Sequence, residues 1–62
     1  MYRIYGKSAY DKKFRPLDLK MGWFVTNLIY ASLIDTKEQA DEICEYLNKE
    51  NPKMTFEVRK AV

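Results

Sequence analysis

Hydrophobic and polar positions change their period three times along this chain. Tyr2 to Lys7 alternates, with Tyr2 and Ile4 on one face and Arg3 and Tyr5 on the other. It predicts a short strand that ends or bulges at Gly6. Phe24 to Ile34 is rich in β-branched and aromatic residues, with apolar positions on both faces. Val25, Ile29, Ala31 and Leu33 share one face, interrupted by Asn27. Phe24, Leu28, Tyr30 and Ile34 share the other with Thr26 and Ser32. This predicts a long second strand covered on both sides. Ala40, Ile43, Cys44 and Leu47 then recur at helical spacing, with Glu38, Asp41, Glu42 and Glu45 turned outward. The helix should start near Thr36, where Asp35 with Glu38 or Thr36 with Gln39 can cap free amide hydrogens. Asn51-Pro52 stops it, because proline cannot continue a helix and restricts the residue before it. Last, Met54, Phe56 and Val58 alternate with Thr55, Glu57 and Arg59, one face apolar and one wet, as an edge strand requires.

These elements predict one small α+β domain over residues 1–62, in the order ββαβ: a three-stranded sheet with a single helix on one face. The helix joins the second and third strands, which should then run parallel through a right-handed crossover. The first strand is expected between them, antiparallel to both; the alternative puts the third directly beside the second. Residues 8–23 are left as a long connection. Tyr10, Phe14, Leu17, Leu19 and Trp23 within it predict packing back onto the domain, since disordered segments are poor in aromatics.

The run Ser8-x-x-Asp11-Lys12-Lys13-Phe14-Arg15-Pro16-Leu17-Asp18, followed by Phe24 to Ala31 and by Thr36-Lys37-Glu38-Gln39-Ala40, resembles short uncharacterised proteins of Gram-positive gut bacteria and their mobile elements. The resemblance spans nearly the whole chain. It implies a bacterial origin and a free-standing small protein, and brings no activity or binding residue with it.

Composition narrows the chemistry. The chain has no histidine and one cysteine, Cys44, so neither a Ser-His or Cys-His pair nor a histidine–thiolate metal site can be built. Cys44 falls on the apolar helix stripe, where an inert buried thiol is expected. The carboxylates Glu38, Asp41, Glu42 and Glu45 read as a solvated helix face rather than a divalent-ion site, because no compact loop converges them. No enzyme activity, cofactor or metal is expected. The longest apolar run, Leu28 to Ala31, is too short to cross a membrane. With one thiol and no secretory leader pattern, the expected location is cytoplasmic.

Charge is uneven despite a net +2. Residues 7–21 carry +3 through Lys7, Lys12, Lys13, Arg15 and Lys20 against Asp11 and Asp18, whereas residues 35–50 carry −4. In a domain this small, apolar burial and chain-ordering entropy nearly cancel, so added burial by association would help. One helix covers one sheet face. Phe24, Leu28, Tyr30 and Ile34 would then need a protein partner, a second copy, or the loop residues Phe14, Leu17, Leu19 and Trp23 folded over them. The leading expectation is a protein-interaction module using that face, with Lys12, Lys13, Phe14, Arg15 and Trp23 at its rim. The alternative is single-stranded nucleic acid bound by loop 10–23, where Lys12, Lys13, Arg15 and Lys20 interleave with Tyr10, Phe14 and Trp23. A third reading makes the acidic helix a mimic of phosphate spacing for a basic partner.

Overall fold

The computed structural model describes every residue except Thr26 and Val62. Strand β1 runs Tyr2–Ser8, β2 Arg15–Asp18 and β3 Trp23–Phe24. A short 3-10 helix spans Leu28–Tyr30, helix α1 spans Lys37–Glu50 and strand β4 spans Met54–Lys60. The sheet has four strands in the order β3-β2-β1-β4, and each strand is antiparallel to its neighbours. Helix α1 packs on one side of it.

Three expectations hold. The helix begins where the capping pattern placed it: Thr36 is the N-cap, and its hydroxyl accepts the Gln39 amide hydrogen at 3.2 Å. At the other end Asn51 closes the helix by donating both its backbone and side-chain N–H to the Leu47 carbonyl, each at 3.0 Å. Strand β1 is interior and antiparallel to the strands on both sides, although its neighbour opposite β4 is Arg15–Asp18 and not the segment 24–34. Met54, Phe56 and Val58 of β4 join the core that Ile4, Leu17, Ile34, Ala40 and Cys44 form with the helix.

Two expectations fail. The sheet has a fourth strand, and the long strand expected over 24–34 is absent from the described residues. Trp23–Phe24 alone pairs with β2. Asn27 then caps a 3-10 turn, its side chain accepting the Ile29 amide hydrogen at 3.1 Å. Further on, the described residues show ladder pairing only at the bridge of Ile34 to Tyr2. A local hairpin takes the place that this segment was expected to fill. The Asp11 carboxylate accepts the Ser8 amide hydrogen at 3.0 Å, and the Asp11 amide donates to the Ser8 carbonyl at 3.1 Å. The chain therefore reverses within a few residues and lays Arg15–Asp18 beside β1. Pro16 suits that strand. It stands opposite Tyr5, whose backbone faces β4, and it needs no amide hydrogen there, while its carbonyl accepts from Val25 at 3.0 Å. Residues 8–23 thus form strands and turns; Leu17 is buried and Phe14 and Leu19 are half-buried as expected, but Tyr10 and Trp23 are exposed and do not pack back.

Gly6 neither ends nor bulges β1. It faces Phe56 across the ladder, and a Cβ there would lie 2.7 Å from the Phe56 ring and 3.0 Å from the Phe24 ring. Gly22 turns β2 into β3 with φ +70° and donates its amide hydrogen to the Asp18 carbonyl at 2.8 Å.

The outer edge of β4 is partly closed. Asn48 reaches from the helix, accepting the Phe56 amide hydrogen at 2.9 Å and donating to the Phe56 carbonyl at 3.2 Å. One side chain thereby imitates a neighbouring strand at the centre of that edge. Among the described residues, no helix is long and apolar enough to cross a membrane.

Candidate interaction surfaces

Phe24, Leu28, Tyr30 and Ile34 do not share a surface. Ile34 is 7% exposed and belongs to the core, and Phe24 is half-buried against it. Leu28 and Tyr30 point outward from the 3-10 helix. A strand would have put all four on one side; the turn at Asn27 breaks the two-residue period and sorts them into inner and outer sets.

The exposed set has company. Met21, Trp23, Leu28, Ile29, Tyr30 and Leu33 are all exposed large apolar side chains, led by Ile29 at 76% and Met21 at 73%. Ile29, Tyr30 and Leu33 line one shallow depression with Asp18 and Lys20. Backbone and side-chain bonds together tie this connection to β2. The Ser32 hydroxyl accepts the Leu19 amide hydrogen at 2.8 Å, and the Ser32 amide donates to the Leu17 carbonyl at 3.2 Å. Ala31 and Ile34 are its buried anchors.

The helix-free sheet face has other occupants. On β1 the residues opposite Ile4 and Gly6 in phase are Arg3, Tyr5 and Lys7, and on β4 they are Thr55, Glu57 and Arg59. Phe14, just before β2, joins them. The Arg59 guanidinium lies 4.4 Å from the Tyr5 ring centroid and 5.3 Å from that of Phe14, and the Lys7 ammonium lies 5.0 Å from Phe14. Glu57 accepts from Arg59 Nε at 2.8 Å. Of these residues only Phe14 was foreseen as part of a site. The alternation of β1 and β4 had already put Arg3, Tyr5 and Arg59 on helix-free faces, so the signal was present in the period.

The basic turn is ordered by its own charges. Lys12 and Lys13 are exposed, while Arg15 donates to Asp11 at 3.1 Å and stands 4.9 Å from the Phe24 ring centroid. Hydrogen bonds from the Ser8 backbone and hydroxyl, then the Arg15 charge, hold the Asp11 carboxyl below its ordinary value.

Burial, with Asp41 and Glu57 nearby, pushes the Cys44 thiol up, so it stays protonated at neutral pH. No group of three metal-ligating side chains occurs among the described residues. Comparison with family models, with curated proteins and with solved structures finds no match.

Proposed function

We propose that this chain is a non-catalytic protein-interaction module that associates through the connection 21–33, a second copy being its simplest partner. The observation that carries this reading is the concentration there of exposed large apolar side chains: Met21, Trp23, Leu28, Ile29, Tyr30 and Leu33. Ile29, Tyr30 and Leu33 share one depression, and contiguous exposed apolar surface marks interaction sites on small proteins.

The total surface supports it. A folded monomer of 7.4 kDa exposes about 4,200 Å² by size scaling. This chain exposes 4848 Å². The surplus of about 650 Å² is in keeping with a surface left incompletely covered. The location follows the notional chemistry of the lone thiol: a reducing, cytoplasmic setting suits it.

Sedimentation velocity over a wide concentration series tests the reading. The sedimentation coefficient should rise with concentration, and Ile29→Lys should abolish the rise. A chain that stays monomeric throughout discards the homodimer. Affinity capture from a bacterial lysate then decides for a different partner: retention lost with Ile29→Lys supports the surface, and retention unchanged by it refutes the surface.

A further inference from the structure

The helix-free face of β1 and β4 carries cations that the monomer only half matches. Arg3 and Arg59 are direct cross-strand partners, and like charges facing each other across a ladder are destabilising. Glu57 answers Arg59. Arg3 has no such answer: its Nε is buried and has no hydrogen-bond partner among the described residues. Arg3 makes no ion pair among the described residues, so its charge is left for an anion to answer.

Planar groups lie beside this cation. The Arg59 guanidinium spans from the Tyr5 ring to the Phe14 ring. Lys7 stands over Phe14, and Lys12 and Lys13 are exposed on the turn leading into it. Three carboxylates lie near: Asp11 and Glu57 are engaged by Arg15 and Arg59, and Asp18, on the same face of β2 as Pro16, accepts from the Lys20 amide at 2.9 Å and from the Ser32 hydroxyl. The acidic side chains of α1 belong to the layer on the other side of the sheet, so they do not repel an anion here.

We propose that this face binds single-stranded nucleic acid. Arg3, Lys7, Lys12 and Lys13 meet phosphates, and the row Tyr5–Arg59–Phe14 stacks unpaired bases. Aromatic rings and guanidinium planes both take bases in this way, and only an unpaired strand exposes its base faces. An acidic peptide would use the cations and leave the rings idle. The site is separate from the 21–33 connection, so either can fail alone.

Fluorescence anisotropy of the full chain with short labelled oligouridine and oligothymidine tests the proposal. Both probes share the chemistry, and binding to either supports it. Three to four phosphate contacts predict an affinity loss of about 20- to 50-fold between 50 and 200 mM salt. Tyr5→Leu should weaken binding about tenfold at unchanged salt dependence. Lys12→Ala with Lys13→Ala should lower the salt slope by about 1.4. Circular dichroism checks each fold, and the exposed lysine pair carries the test if Tyr5→Leu does not fold. No binding at 50 mM salt overturns the proposal, as does equal affinity for duplex DNA or for polyglutamate of the same length.

Discussion

The helix-free face and the 21–33 connection are both exposed, yet their side chains are held in opposite ways. On the face, a regular ladder fixes Tyr5 and Arg59, and the Arg59 guanidinium lies 4.4 Å from the Tyr5 ring centroid. In the connection, a capped 3-10 turn and Ser32 fix the backbone while Ile29 and Tyr30 project without cover. The difference teaches that exposure alone is ambiguous. Cations stacked on rings are satisfied by both protein and water, so that face is soluble by itself and open to anions. Large apolar groups in water have no such compromise, and what they favour is another apolar surface.

The largest perturbation removes the floor beneath both regions. Phe56 is buried, packs over Gly6 and belongs to the core. Phe56→Ala should cost about 3–5 kcal/mol, enough to unfold most of a domain this small, as urea denaturation would show. Gly6→Ala forces the Phe56 and Phe24 rings aside and should cost about 1–3 kcal/mol through overpacking. A Gly6→Ala protein as stable as the parent would mean that those rings yield freely.

Asn48→Ala tests the β4 edge, which neither proposed surface uses. It leaves the Phe56 N–H and C=O without their side-chain partner and should cost about 1–3 kcal/mol. The bared edge should also raise aggregation, measured by light scattering. Smaller again is Arg59→Gln, which removes the cation over Tyr5 and Phe14; about 0.5–1 kcal/mol is expected. Ile29→Lys should be smallest in monomer stability, within about 0.5 kcal/mol, because nothing in the monomer covers that side chain. A large loss there would show Ile29 to be part of the monomer's packing and would weaken the contrast.

pH probes the basic turn at the rim of the helix-free face. The depressed Asp11 carboxyl favours the folded turn while ionised, so that contribution is present above the ordinary aspartate range and is lost as pH falls through the lower folded value. The Ser8 amide resonance should therefore titrate with a midpoint below that of an unstructured aspartate. An ordinary midpoint would place Asp11 outside the hydrogen bond.

Legibility followed the range of the interactions. The helix was readable to its caps, because Thr36 and Asn51 act on residues three and four positions away. The alternation of β1 and β4 was readable for the same reason. The segment 24–34 misled because its composition suits a strand, while a strand also needs an edge to pair with. The Ser8–Asp11 turn gave much of that edge to Arg15–Asp18. Choosing Phe24, Leu28, Tyr30 and Ile34 as one surface inherited that error. Arg3, Tyr5, Lys7 and Arg59 gather only because β1 and β4 are ladder partners, which the alternation within each strand does not reveal.

By itself, then, the sequence determined the α+β class, the span of the helix, the inward stripe of each long strand and the lack of histidine-based chemistry. Each depends on local periodicity or on residue identity. Tertiary structure alone decided which segment pairs with the open edge of β1, and hence which side chains gather on the helix-free face and which are left projecting. Strand pairing is a competition between segments distant in the chain, won here by the one that a short turn delivers with the least loop to close.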